Sequence, residues 1–436
     1  MDNLTIGFVG LGAGFLLLLL RVQIGVALGI VSFFGIGMML NMRAAWGILT
    51  AIPFNFVGDW NLTAIPMFLL MGFVASESGI SAGLFRAMRI LLSWLPGGLA
   101  VASVGACALL SAASGSSVAT ASAFARIATP EMLRYRYHPG LATGVIAAAG
   151  TLGSLIPPSI LMVLYGYLAE VSIAKLFIAG FLPGLLSAGM FVGMIVIRCM
   201  RNPDLAPKVD ETFTRADLLA ALKETWALPA IIVGVLTGIF VGVFSPTEAG
   251  AVGAALAILL AAVRGSLTLD SLRRSGLSTL ASTSGIFMVV IGTALLGKFM
   301  ALSGVPRFIA DELLTMGSSD LAVILMVAVL YLILGCFLDS IGIMLLTMPI
   351  ILPIAQESGI ELIYFGVILV KLLEIGLLTP PVGLNVYIIK GALGDTVRLT
   401  TIFKGVTWFI VTDMITLALI IAFPWLSTFL PSLINT

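Results

Sequence analysis

The chain is a succession of apolar stretches close to 20 residues long, separated by short polar punctuation. A helix needs about 20 apolar residues to cross the hydrocarbon core of a bilayer, and only helices or closed barrels satisfy their own backbone there. The pattern therefore restricts the chain to a bundle of helices in lipid. Composition agrees: 60% of residues are hydrophobic before 47 glycines are counted and 10% are charged, against roughly 45–50% apolar with glycine and about 25% charged in soluble domains. A net charge of +1 gives no basic excess with which to track nucleic-acid phosphates. Cys107, Cys199 and Cys336 are far apart and lack the spacing of a disulfide framework or a zinc site, so they read as free thiols. Met1-Asp2-Asn3 followed by Leu4–Leu20 lacks the basic start and cleavage site of a signal peptide, and this segment is expected to stay as the first membrane helix.

Ten crossings are predicted, at Leu4–Leu20, Val22–Leu40, Leu62–Ser78, Pro139–Leu168, Ile173–Ile197, Leu228–Phe244, Glu248–Val263, Ser284–Leu302, Leu362–Ile389 and Trp408–Leu426. Two further apolar stretches, Leu99–Pro130 and Asp320–Pro353, are interrupted midway by Ser114-Gly115-Ser116-Ser117 and by Asp339-Ser340-Ile341-Gly342. Each reads as a re-entrant hairpin. With these returning to their own side, seventeen of the 22 Lys and Arg fall on one face. Arg43, Lys175 and Arg307 fall on the other, and Lys298 and Lys371 lie within spans. The basic face is cytoplasmic, which places both termini outside.

The polar run from Arg198 to Thr225 divides the chain almost in half. Ile156-Pro157-Pro158 recurs as Thr379-Pro380-Pro381 at an offset of 223, which also maps Gly153 onto Gly376, Pro130 onto Pro353 and Ser117 onto Ser340. Several matches at one offset imply an internal repeat, and five crossings plus one hairpin per half force the halves into opposite orientations. The expected fold is thus an all-α polytopic membrane protein of two inverted repeats. The first spans 1–205, with hairpin 99–132 and broken helix 139–168. A cytoplasmic linker covers 206–226, and the second repeat spans 227–436, with hairpin 320–356 and broken helix 362–389. Ser81–Pro96 and Val305–Met316 read as amphipathic arms leading into the hairpins.

Breaks at membrane depth must be buried or line a cavity. Proline frees carbonyls, glycine allows close approach, and Ser, Thr, Asp and Asn oxygens complete the shell of a hard cation, for which sodium is the natural guest. Helix N-termini at the same breaks suit an anion such as a carboxylate. Ser116, Ser117, Thr120, Ser340 and Asn385 are the expected substrate-binding residues. Asp339, at a hairpin tip, is an expected ion ligand or its support. Glu248 reads as the third position of a capping box begun by Ser245, and Lys371 as snorkelling or paired with Glu374. His138, the only histidine, lies in a basic cytoplasmic turn, which leaves an intramembrane serine hydrolase without a base. No enzyme is expected, and no organic cofactor.

The residues that carry these features resemble the large, DctM-like membrane subunit of tripartite ATP-independent periplasmic (TRAP) transporters, within the wider ion transporter superfamily. The matching motifs run along the whole chain: Arg21-Val-Gln-Ile-Gly, Ile65-Pro-Met-Phe, Ser114-Gly-Ser-Ser-Val-Ala-Thr, Gly150-Thr-Leu-Gly-Ser-Leu-Ile-Pro-Pro-Ser, Ser245-Pro-Thr-Glu-Ala and Thr379-Pro-Pro-Val-Gly-Leu-Asn. Gln23 and Ser245 stand where many relatives have Pro and Thr. The resemblance implies sodium-coupled uptake of an organic acid, such as a C4-dicarboxylate, sialic acid or sugar acid, by elevator-type motion of the hairpin-bearing domain. It implies two partners, a small four-helix DctQ-like membrane subunit, expected as a separate chain, and a DctP-like periplasmic substrate-binding protein. It implies two sodium sites, one at Ser114, Gly115, Ser117, Gly150 and Gly153, the other at Asp339, Gly342, Thr379 and Gly383. The alternative is a stand-alone sodium- or proton-coupled anion symporter or antiporter of the same superfamily.

Overall fold

In the computed structural model, residues 2–207, 214–315 and 319–433 are described. Lys208 and the rest of 208–213 in the expected linker, and Met316 at the end of the second arm, lie outside the described residues. The first half runs α1 (Asn3–Leu19), α2 (Ile24–Met39), α3 (Met42–Val57) and, after a 3-10 turn at Trp60–Thr63, α4 (Ala64–Glu77). It continues through the arm α5 (Ile80–Leu92), the hairpin α6 (Gly98–Ser114) and α7 (Ser117–Arg134), the broken pair α8 (Pro139–Leu155) and α9 (Ile160–Leu168), and α10 (Ile173–Arg201). A linker helix α11 (Arg215–Thr225) precedes α12 (Ala227–Phe240), α13 (Pro246–Val263), α14 (Leu269–Ser303) and the arm α15 (Val305–Thr315). The second hairpin is α16 (Asp320–Gly335) and α17 (Ser340–Glu357), the second broken pair α18 (Leu362–Gly376) and α19 (Leu384–Leu393), followed by α20 (Leu399–Ala422) and the short α21 (Trp425–Ser432). The described residues contain no strand.

The chain is a polytopic all-helical membrane protein. Seven described helical stretches are long and apolar enough to cross a membrane, and five more apolar helices are 10–17 residues long. Three elements differ from the predicted crossings, one of them α20, which runs from Leu399 to Ala422 where Trp408–Leu426 is expected. Met42–Val57, left out of the prediction because Arg43 and Pro53 dilute a 16-residue run, is helical: the Asn41 side chain accepts from the Ala44 amide and starts it. The helix expected from Ser284 begins instead at Leu269, where Thr268 and Ser271 form a reciprocal cap. At 35 residues α14 is about 52 Å long, well beyond a hydrocarbon core of about 30 Å. Its first half is rich in Ser and Arg, so hydropathy alone hides it. The described part of the linker holds α11, capped by Thr214. Its amide and hydroxyl both donate to Asp217, at 2.8 and 2.6 Å, which holds that carboxyl below the usual range. The hairpins and the second broken pair extend one to four residues past their predicted limits.

The order of elements from α12 to α20 repeats that from α1 to α10, with the single helix α14 standing where the first half has α3 and α4. Gly58 and Asp59 explain the difference: the Asp59 carboxylate accepts from the Asn61 amide and turns the chain between them. The capping box at Ser245 is present, with the Glu248 amide donating to Ser245 Oγ at 3.3 Å and the Ser245 amide to Glu248 Oε2 at 2.8 Å. Ser245→Ala is expected to cost about 1 kcal/mol, read as an earlier thermal unfolding of the purified chain.

Burial orders the bundle. Every residue from Gly140 to Leu155 on α8 and from Tyr364 to Gly376 on α18 is buried. Apart from Lys371 and Glu374 on α18, both helices are apolar or small-residued on all sides, which is the pattern of an innermost helix. Around them stand the hairpins, α10 and α20. Here α8 and α20 touch backbone to backbone, since a Cβ on Gly405 would lie 1.9 Å from the Gly140 carbonyl oxygen. The outer helices expose large apolar side chains, Phe54 at 83% and Leu19 at 81%, as surfaces that face lipid do.

Candidate functional site

Both hairpin tips and both proline breaks converge on one cavity of about 540 Å³. The first tip contributes Gly115, Ser116 and Ser117, the second Asp339 and Ser340. From the breaks come Ser154 and Ile160 on one side and Leu377 and Leu384 on the other, while α4 and α14 close the remaining wall. The residues lining it include no Lys, Arg or His. Polar character comes from serine hydroxyls, from the N-terminal turn of α7 and from one carboxylate.

Each tip is built by local chemistry. Gly115 ends α6 at φ +58°, a left-handed conformation that a side chain would strain. Ser116 then accepts from the Ala119 amide at 3.3 Å and starts α7. Ser117 Oγ shares a 2.7 Å hydrogen bond with Ser154 Oγ and reaches the Thr151 carbonyl at 3.5 Å, tying the first tip to the first break. At the second tip Ser340 Oγ reaches the Leu373 carbonyl at 3.5 Å, and the Val382 amide donates to the Cys336 carbonyl at 3.3 Å. Close packing beneath the tips rests on glycine in both halves: Gly153 lies against Ser111, and a Cβ on Gly376 would stand 2.8 Å from the Gly335 Cα. The Pro157-Pro158 and Pro380-Pro381 peptides are both cis.

The expected site residues divide by position. Gly115, Ser116, Ser117, Asp339 and Ser340 line the cavity. Ser114 lies just under the tip, its hydroxyl 3.0 Å from Thr120 Oγ1. Gly150 and Gly153 are buried against Ala121 and Ser111 at the α7 and α6 contacts. Gly342 is the amide that Asp339 caps, at 3.1 Å. Thr379 donates to the Ile375 carbonyl at 2.7 Å, and Gly383 takes φ +57° to start α19.

Two expected substrate residues are not brought to the cavity. Thr120 is fully buried between Ser111 and Ser114, and Asn385 is fully buried with its Nδ2 donating to the Ala147 carbonyl at 3.0 Å. Both face inward because α7 packs on α6 and α8, and α19 on α8. Asp339 is exposed and its carboxylate caps α17; no described ion pair holds it.

Among the other ionisable residues, Lys371 does not snorkel. It is fully buried and pairs with Glu374 at 3.0 Å, as expected, but also with Asp413 at 2.5 Å. Asp413 went unnoticed in the sequence. Its signal was there, a lone acid in the apolar run after Trp408, which needs a partner. Glu77 pairs with Arg274 at 3.0 Å, linking α4 to α14, and His138 Nδ1 accepts from the Gly140 amide at the start of α8. No group of three or more His, Cys, Asp or Glu that would hold a metal occurs among the described residues.

Residues 11–426 match the family model described as the DctM component of tripartite ATP-independent periplasmic transporters. The sialic acid TRAP transporter permease protein SiaT of Haemophilus influenzae is 34% identical over 94% of this chain, which spans 66% of that longer relative. The C4-dicarboxylate TRAP transporter large permease protein DctM of Pseudomonas aeruginosa is 36% identical over 86% of each chain. In architecture the chain is similar to the crystal structure of the Alcanivorax borkumensis YdaH transporter, with a TM-score of 0.60 over 89% of this chain and 91% of that one at 16% identity.

Proposed function

Since this chain belongs to the DctM component family of tripartite ATP-independent periplasmic transporters, we propose that it is the subunit through which an organic acid enters the cell, driven by sodium. The observation that carries this reading is the meeting of all four breaks, two from each half, on a single cavity. In the proposed mechanism the substrate's carboxylate sits against Ser116, Ser117 and Ser340, which offer hydroxyl donors. The amides of the first turn of α7 add partial positive charge. Because no basic side chain is among the lining residues, sodium supplies the remaining positive charge. One ion is proposed at the oxygens of Ser114, Gly115, Ser117, Gly150 and Gly153, the other at Asp339, Gly342, Thr379 and Gly383. Hard oxygens from hydroxyls, carbonyls and one carboxylate suit such an ion.

The two halves are proposed as inverted repeats over 1–205 and 227–436. The hairpins, broken pairs, α10 and α20 would form one body that slides past the outer helices, as an elevator. Gly72 of α4 marks the seam, since a Cβ there would stand 2.5 Å from the Ser114 Cα. A periplasmic binding protein would deliver the acid to the outer face, and a separate small membrane subunit would brace the outer helices. Both termini would lie in the periplasm.

The test is uptake of a labelled panel of organic acids into proteoliposomes, with and without a sodium gradient, the small subunit and a substrate-loaded binding protein. Uptake that requires all three additions, for one acid of the panel, is the expected result. Transport by this chain alone would overturn the tripartite reading in favour of a stand-alone anion symporter.

A further inference from the structure

Lys371, Glu374 and Asp413 are the fully buried charged side chains among the described residues. Lys371 Nζ donates to Glu374 Oε2 at 3.0 Å, to Asp413 Oδ1 at 2.5 Å and to Ser187 Oγ at 3.1 Å, so all three ammonium hydrogens are used. The outer oxygens, Glu374 Oε1 and Asp413 Oδ2, accept no hydrogen bond. Two carboxyls therefore face one ammonium inside the bundle formed by α8, α10, α18 and α20.

No surrounding charged side chain redresses the balance, and the one further polar neighbour of the Glu374 carboxyl is the Leu155 backbone. The helices α8 and α21 contain no ionisable side chain. Lys175, Arg198, Cys199 and Arg201 stand toward the ends of α10, about three to four turns from Ser187. Lys404 near the start of α20 is exposed, as are Asp320 on α16 and Glu357 on α17. On α19, Lys390 is engaged with Asp395. The Tyr165, Tyr331 and Tyr364 hydroxyls bond to the Leu362 carbonyl, Thr347 and the Ile421 carbonyl. A second buried carboxylate charge with no partner of its own is far costlier than a neutral carboxyl that forgoes one hydrogen bond. A metal cation in the same place would press against the ammonium.

We propose that this cluster binds one proton, held on the Glu374 carboxyl, so that the three side chains together carry no net charge. Asp413 stays ionised because it makes the shorter contact with Lys371. Glu374 keeps Oε2 as the acceptor for Lys371 and carries the proton on Oε1, the oxygen with no donor to lose. The proton site is distinct from the cavity and from the proposed sodium ligands, and it holds whatever the substrate is. It also has no counterpart in the first half: the offset of 223 that relates the two proline breaks places Ala148, Thr151 and Met190 at these three positions.

Infrared spectroscopy of the full chain in lipid at neutral pH tests this without any uptake assay. The expected result is a protonated-carboxyl C=O band that shifts when 13C-glutamate is incorporated and is absent from Glu374→Gln. Glu374 is the one fully buried glutamate among the described residues, so the isotope identifies it even if the variant fails to fold. A band moved by 13C-aspartate and lost in Asp413→Asn would overturn the assignment to Glu374. Absence of any such band would overturn the proton site altogether.

Discussion

Lys371→Met is expected to destabilise the folded chain by roughly 3–5 kcal/mol, the scale set by removing one partner from a buried ion pair. Methionine fits the space of the lysine stem, so the loss is electrostatic rather than a cavity. It strands the Asp413 carboxylate, which loses its 2.5 Å donor, and removes the tie that holds α18 to α10 through Ser187. The double variant Lys371→Met with Asp413→Asn is expected to recover most of that loss, since no unpaired charge then remains and a buried pair replaced as a whole is often near neutral. Denaturant or thermal unfolding of the chain in detergent or lipid measures both. A single variant as stable as the parent would mean that the cluster contributes nothing net, and a double variant no better than the single would mean that packing, not charge, is at issue.

What could be read from the sequence follows a physical division. The two hairpins and two broken helices were legible because Gly, Ser and Pro interrupt long apolar runs, and an interruption at that depth has few structural solutions. The recurrence of Pro157-Pro158 as Pro380-Pro381 marked both broken pairs. Hydropathy failed where a helix is capped but polar: Thr268 and Ser271 start α14 fifteen residues ahead of its apolar part, and Asn41 starts α3 despite Arg43 and Pro53. Side-chain direction was the second blind spot. Small and apolar neighbours flank Thr120 on α7 and Asn385 on α19 without marking a face, so both offered the right oxygens yet turn toward α6 and α8. The Lys371 cluster was half visible. Glu374 lies three residues along the same helix, whereas Asp413 lies 42 residues away, and only the fold brings it near.

Asp339 is expected to hold two roles that one substitution separates. Its carboxylate caps α17 by accepting from the Gly342 amide at 3.1 Å, and it lines the cavity shared by the four breaks. Asparagine caps a helix about as well as aspartate, while alanine gives up about 1 kcal/mol. Asp339→Asn should therefore unfold like the parent and Asp339→Ala slightly earlier. If the charge helps hold sodium, Asp339→Asn raises the sodium concentration needed for half-maximal uptake by roughly tenfold, which corresponds to about 1.4 kcal/mol of lost attraction. Asp339→Ala, lacking both oxygens, abolishes sodium-dependent uptake, and Thr379→Ala does the same from the second break. The proteoliposome assay reads all three against their unfolding profiles. Unchanged sodium dependence in Asp339→Asn would leave Asp339 as a helix cap alone and shift the second ion to neutral oxygens. A loss that tracked stability across the set would place the defect in the hairpin's fold instead of in its ion. Because the asparagine variant keeps the cap and removes only the charge, its sodium titration is the measurement that tells a built-in ligand from a structural residue at the same tip.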